Sequence, residues 1–402
     1  MAEKLWEKGY ELDEQIEKFT VGEDYVLDME IIEYDLEASK AHVEMLQRVG
    51  LLSGEETKKL LEALDELKDL VEKGDFTIKP EDEDSHTAIE KFLVKKLGAI
   101  GEKIHTARSR NDQILVALRL YYREKLGKVE KEIERLQKAM KEFAENYGHI
   151  KFAGFTHTRK AMPTTFRMWT EAFIDALDDD LKLLKFVRNI VDQSPLGSGA
   201  GYGVPLDIDR EYTAQKLGFT RVQKNPIYVQ NSRGKFEYMI LHALSQVSYD
   251  LNRLASDIIF FSMPDLGYLN LPKELCTGSS MMPHKLNPDP LELVRAYHHK
   301  LVSNAFFLVS ISSNLISGYH RDLQLTKAPI FESFKVTLEI LSVMRHVFKK
   351  MTVNVEKAEA SINDEVMATQ AAYELVKKGV PFREAYRRIA EDLMRRYRTP
   401  RS

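Results

Sequence analysis

The chain has 402 residues, 62 acidic and 58 basic, and a formal net charge of −4, so no basic field points to nucleic acid and no acidic excess to disorder. Its single cysteine, Cys276, excludes an intramolecular disulfide and fits a reducing compartment. The opening MAEKLWEKGYELDEQIEKF is charged throughout, and no run approaches the roughly 18 apolar residues of a membrane span, so a soluble, cytoplasmic protein that binds neither membrane nor nucleic acid is expected.

Taken in order, Glu23 to Lys73 shows apolar positions at helical spacing broken by a turn at Gly50–Gly54, which predicts two helices. Ser53 and Glu56 have the capping-box spacing and place the second helix start. The acidic lead-in Glu81–Asp84 predicts a third, ending near Gly98, with His86 either a catalytic group or, the more frequent fate, a polar cap. From Leu115 the stripe Leu115, Leu118, Tyr122, Leu126, Val129, Ile133, Leu136, Met140, Phe143, Tyr147 predicts one helix of roughly 35 residues, about 50 Å long. Stripes from Phe166 to Val191 and from Ile240 to Phe261 predict two more, and Leu291–Ser317 a fourth. The second half of that fourth helix is apolar or small nearly all round, so it needs neighbours on every side, which predicts a homo-oligomer.

Strand-like alternation is scarce. The expected fold is therefore all-α with at most small hairpins. It divides into an N-terminal helical domain (1–104), a central long-helix bundle (105–350) and a short C-terminal helical domain (351–402), where Lys377–Pro381 separates two helices. The basic tail RRYRTPRS reads as a solvated terminus.

Four polar segments interrupt the helices. HTARSRNDQ, His105 to Gln113, carries two arginines at a predicted helix start and suits either a carboxylate ligand or a salt-bridged cap. GFTHTRKAMP, Gly154 to Pro163, is read as a short loop whose His157 is either an acid or base or a hydrogen-bonded loop residue. SPLGSGAGYGVPLDIDR has four glycines that would let backbone approach a ligand, although ordinary turns use glycine too. TGSSMMPHKLNPD, Thr277 to Asp289, packs hydroxyls, a lysine and an amide into a loop before the fourth helix, either a catalytic loop or a run of turn-formers. No HExxH, paired CxxC, Walker loop or GxSxG elbow is present. These groups suit proton abstraction beside a carboxylate followed by loss of a leaving group.

Together these segments resemble the fumarase/aspartase superfamily and, within it, the argininosuccinate lyases. GSSMMPHKLNP satisfies the superfamily pattern GSSxMPxKxNP throughout, HTARSRNDQ is similar to HTGRSRNDQ, FTHTRKAMP to YTHLQRAQP, and YHRDLQLTK to YNKDxQxxK; the likeness runs from about Phe19 to Arg388. It implies a helical homotetramer with active sites shared between subunits, no cofactor or metal, and release of fumarate from argininosuccinate to leave arginine. It further implies that Ser279 is the base, that Lys285 and Asn287 stabilise an aci-carboxylate intermediate, and that His157, oriented by Glu292, supplies or relays the acid. Asp28, Arg110, Asn111, Thr156, Tyr319, Gln324 and Lys327 would contact substrate. The alternatives are adenylosuccinate lyase, which His284 resembles, or a crystallin-like structural relative. Three departures concern the arginine half: FTVGED has no counterpart of a family serine, NPIYVQNSRG keeps Arg233 without its acidic neighbour, and the chain stops soon after GVPFREAYRR, without the longer C-terminal domain.

Overall fold

The structure, a computed structural model, describes residues 13–398; the end of the basic tail lies outside them. Five long helices dominate: Arg110–Tyr147, Phe166–Val191, Lys235–Phe261, Asp289–Ile311 and Lys327–Lys350. In the first, every stripe residue from Leu115 to Phe143 is buried. Burying such side chains contributes about 1.5–3 kcal/mol each. That outweighs the helix-propensity penalty of β-branched Val129 and Ile133, at most about 0.7 kcal/mol apiece. The stripes of Phe166–Val191 and Lys235–Phe261 are likewise buried.

The chain forms two compact units, one from the chain up to Val129 with Leu183–Leu244 and Leu301–Lys335, the other from Glu130–Lys182, Ser245–Lys300 and Val336 onward. The division falls inside all five long helices. In the first unit, helices Ile32–Arg48, Gly54–Glu72 and Ser85–Leu97 share a core of Leu36, Val43, Leu46, Leu60, Leu64, Ile89 and Leu93. The expected capping box is present: Ser53 N–H donates to Glu56 Oε2 at 2.9 Å and Glu56 N–H to Ser53 Oγ at 3.3 Å. Asp84 caps the third helix by accepting from Thr87 N–H at 3.0 Å.

The second unit has an aromatic core in which Phe152 stacks on Phe166 at 4.4 Å and Trp169 on Phe348 at 6.2 Å. Helices Asp364–Lys377 and Phe382–Arg398 flank a turn with Gly379 at φ 91°, as expected. The segment read as a short loop, Gly154–Pro163, is instead part of an antiparallel hairpin, Lys151–Thr156 with Arg159–Thr165. Its two-residue turn is His157–Thr158, both left-handed at φ 53° and 57°. A primed turn matches the strand twist, but normally draws Asn or Gly, so this hairpin lacks the usual turn signal.

The fourth long helix starts at Asp289, two residues early, and stops at Ile311 rather than Ser317. The Ser312 and Ser313 hydroxyls donate to the Leu308 and Val309 carbonyls at 2.7 and 2.6 Å, and Asn314 turns left-handed at φ 63°. Serine back-bonding competes with the helical ladder there. Leu293, Val302, Phe306 and Phe307 on this helix are exposed, Phe306 at 70 %.

Candidate active site

Six of the twelve expected residues line one pocket of the first unit: Asp28, Arg110, Asn111, Tyr319, Gln324 and Lys327. At its base the buried Lys327 ammonium sits 2.6 Å from Asp28 Oδ1 and 2.7 Å from Asp24 Oδ1. Ser85 N–H completes the cage by donating to Asp28 Oδ2 at 3.1 Å. Burial works against the ammonium, but the two carboxylates outweigh it and hold its pKa above the usual lysine value. Burial also pushes Asp28 up to about 6, with Lys327 pulling the other way, so the carboxylate is ionised at neutral pH. Asp24 was not singled out from the sequence, although its place four residues before Asp28 puts the two on one helical face.

Arg110 opens its long helix, so the positive end of the helix dipole lies at the pocket. The guanidinium reaches Asp84 Oδ2 at 2.9 Å, Glu83 Oε2 at 3.4 Å and Thr87 Oγ1 at 3.1 Å, which realises the salt-bridged cap on a residue that also lines the pocket. Gln324 Nε2 donates to the Thr20 and Val21 carbonyls at 3.2 and 3.1 Å, tying it to the N-terminal segment. The Arg233 guanidinium lies 5.2 Å from the Tyr319 ring centre, and Arg233 and Arg321 add positive charge to the wall. A pocket with acidic Asp24 and Asp28 beside several guanidinium groups can orient a ligand that carries both charges.

The motif neighbour Asp112 holds this arrangement in place. Its Oδ2 accepts from Gly197 N–H and Gly199 N–H, each at 2.9 Å, and its Oδ1 from Ser109 N–H at 2.8 Å. The glycine-rich loop thus does receive an anion, but the anion is the chain's own Asp112. Glycine is required there: at Gly197, φ is 82° and an added Cβ would stand 2.8 Å from Ile208. Burial pushes Asp112 up to about 6 against the pull of these N–H donors. His86, expected as a cap, is instead buried, its Nδ1 2.6 Å from Gln113 Oε1, and burial pushes its pKa down to about 3.

The other six residues lie in the second unit. Thr156 and His157 stand exposed at the hairpin tip, and Glu292 is exposed in the first turn of helix Asp289–Ile311. Ser279, Lys285 and Asn287 belong to a loop closed by the pairs Thr277–Asn287 and Gly278–Leu286 and by the Thr277 hydroxyl bonded to Asp289. The Met282 N–H donates to Ser279 Oγ at 3.0 Å and the Met281 N–H at 3.4 Å. Donors aimed at a serine oxygen favour its anionic form. Among the described residues, no hydrogen bond joins the side chains of His157, Ser279, Lys285 and Glu292.

The sequence model of a family described as a lyase matches residues 9–302. An argininosuccinate lyase of Thermotoga neapolitana is 66 % identical over 391 residues, covering 97 % of this chain and 98 % of that protein. The chain belongs to the argininosuccinate lyase family. Another argininosuccinate lyase, from Stenotrophomonas maltophilia, is 41 % identical across 97 % of this chain and 90 % of its own length. Among solved structures, this family member resembles an EDDS lyase in complex with formate (TM-score 0.83, 22 % identity, 96 % of this chain and 76 % of that one). It also resembles a class II fumarase from Schistosoma mansoni (TM-score 0.79, 14 % identity, 93 % and 91 % coverage). These two likenesses establish the shared helical fold alone.

Proposed function

We propose that this chain cleaves argininosuccinate reversibly to arginine and fumarate, a carbon–nitrogen lyase step of arginine biosynthesis, in the cytoplasm and without a cofactor. The observation that carries the reading is the 66 % identity to an argininosuccinate lyase across nearly the whole of both chains. The pocket geometry supports it, because the substrate joins a guanidinium and an ammonium to three carboxylates and the pocket sets Asp24 and Asp28 beside Arg110, Arg233 and Lys327. No helix of the described residues is long and apolar enough to cross a membrane.

In the proposed reaction Ser279, its oxyanion favoured by the Met281 and Met282 N–H groups, removes a proton from the succinyl Cβ. Lys285 and Asn287 stabilise the resulting aci-carboxylate. The electron pair then forms the fumarate double bond as the C–N bond breaks, and the departing guanidine nitrogen takes a proton through His157 to become the guanidinium of arginine, with Glu292 orienting that histidine. Asp28, Arg110, Asn111, Thr156, Tyr319, Gln324 and Lys327 hold the substrate.

The reading includes three helical domains (1–104, 105–350 and 351–402) and a homotetramer with shared sites. Support for the assembly comes from the exposed Leu293, Val302, Phe306 and Phe307 on one helix, an apolar surface that a second copy would cover. The assay is fumarate release, followed in the ultraviolet, from argininosuccinate and separately from adenylosuccinate, the second substrate included because His284 stands in the loop. Release from argininosuccinate alone is expected. Release from neither would remove the enzyme reading, and release from adenylosuccinate alone would reassign the substrate.

A further inference from the structure

Three side chains of the first unit have no part in the proposed elimination but face one another. On helix Ser85–Leu97, His86 and Glu90 stand one turn apart, and His105 approaches them from the turn before Arg110. Their ligand-capable atoms all lie within 4.8 Å of one another, with His86 and Glu90 buried and His105 exposed.

The surroundings settle which nitrogen of His86 is available. Gln113 Nε2 donates to Asp35 Oδ1 at 2.7 Å, so Gln113 presents its Oε1 to His86 Nδ1, 2.6 Å away. That acceptor fixes the proton on Nδ1 and leaves a lone pair on Nε2, which points to Glu90 Oε2 at 3.8 Å. An imidazole backed through its other N–H by a fixed carbonyl is the arrangement that holds metal-binding histidines. Glu90 provides a second, independent sign. Its Oε2 is buried and has no hydrogen-bond partner among the described residues, so a lone pair on nitrogen and an acceptor oxygen face each other with nothing positive between them.

We propose that His86, Glu90 and His105 form a binding site for a divalent transition metal ion of the zinc class. Two imidazoles and one carboxylate match such an ion and suit neither calcium nor magnesium, which take mainly oxygen ligands. Ligands about 2.1 Å from a tetrahedral zinc ion stand about 3.4 Å apart. The buried His86–Glu90 pair is close to that spacing already, and the exposed His105 ring stands 4.9 Å from the His86 ring, centre to centre. The fourth position is left to water or to a ligand in the pocket that His86 also lines. The opposing charges are Arg108, buried nearby with its Nη1 donating to Ser39 Oγ at 2.8 Å, and Arg110, held by Asp84 and Glu83; their fields weaken the site without occupying it.

The test uses the full-length protein stripped of metal by a chelator and titrated with Zn²⁺ by calorimetry and with Co²⁺ by visible absorption. One equivalent per chain is expected, with the intense visible bands of low-coordinate cobalt. Glu90→Gln and His105→Asn should each weaken binding at least tenfold. His105 is exposed, so His105→Asn keeps the comparison sound even where Glu90→Gln folds poorly. Absence of stoichiometric binding would overturn the proposal, and so would unchanged affinity in His105→Asn, which would place the metal elsewhere. Neither readout depends on lyase activity, so failure here leaves the functional reading to its own assay.

Discussion

The candidate residues of the two units are held in opposite ways. Lys327 and Asp28 are buried, each with two or more short polar contacts, whereas His157, Lys285 and Glu292 stand on exposed turns with no side-chain partner among the described residues. Burying a charge costs several kcal/mol of hydration, so it persists only where folding supplies a counter-charge. The proposed substrate-holding residues of the first unit are thus assembled by the folding of one chain, while Thr156 shares the exposed hairpin tip of the second. The proposed proton-transfer set stays exposed on one chain, and in the proposed assembly its activation would fall to groups of a second copy. The difference teaches that substitutions in the first set act on stability and binding together, and those in the second on turnover.

Ser279→Ala should sharpen this contrast most. Loss of a base in the proton-transfer step lowers kcat by about 10²–10⁴-fold, while calorimetric binding of substrate and the unfolding temperature stay near those of the parent. Full turnover in this variant would place the base elsewhere. Lys327→Met is the counterpart: it leaves Asp24 and the buried Asp28 without their counter-charge, with an expected loss of about 3–5 kcal/mol of stability together with a raised KM. Denaturant melts beside steady-state kinetics would check it, and a raised KM without destabilisation would break the comparison.

Asp112→Asn should have a smaller effect. It removes the charge from a carboxylate that holds Ser109, Gly197 and Gly199 N–H, and charge-assisted hydrogen bonds contribute about 1.5–3 kcal/mol. A lowered unfolding temperature with a moderate fall in kcat/KM is expected, since the loop and the Arg110 helix start are both tethered through it.

The smallest effect tests a buried carboxyl of the second unit that has no ligand role. Burial and the neighbouring Asp250 push Asp180 up to about 7. The folded protein therefore keeps a proton that the unfolded chain, with an ordinary aspartate pKa of about 3.9, gives up. Stability from this group falls as pH rises between those two values. Asp180→Asn escapes the loss, so its advantage in unfolding temperature over the parent should widen from pH 5 to pH 8, with KM unchanged. A constant difference across that range would remove the account of a proton retained by Asp180.

Much of the fold was legible because one-sided burial prints its period on the chain. Leu115 to Phe143, Phe166 to Val191 and Ile240 to Phe261 are stripes in sequence and buried faces in structure. The Ser53–Glu56 cap was legible because both partners are local. The Lys327–Asp28 pair was not, since it joins residues 299 positions apart and neither type is unusual. The hairpin at Gly154–Pro163 was missed because His-Thr occupies a turn that normally calls for Asn-Gly. The early end of helix Asp289–Ile311 depends on serine hydroxyls whose choice of acceptor no periodicity reveals. Of the candidate site, the motifs pointed to the residues, while the tether from Asp112 to the glycine loop emerged only from the distances.

The left-handed tip of that hairpin has a consequence for evolution and for engineering. Non-glycine residues in this conformation carry a penalty of roughly 1–2 kcal/mol each, and Thr158, branched at Cβ, is the harder to accommodate. Asn-Gly at these two positions would make a more comfortable turn and discard the imidazole that the proposed chemistry uses. Durability and the proposed turnover compete here for the same two residues, so a search for thermostability by turn propensity would move them first and, on the proposed chemistry, lose catalysis in doing so.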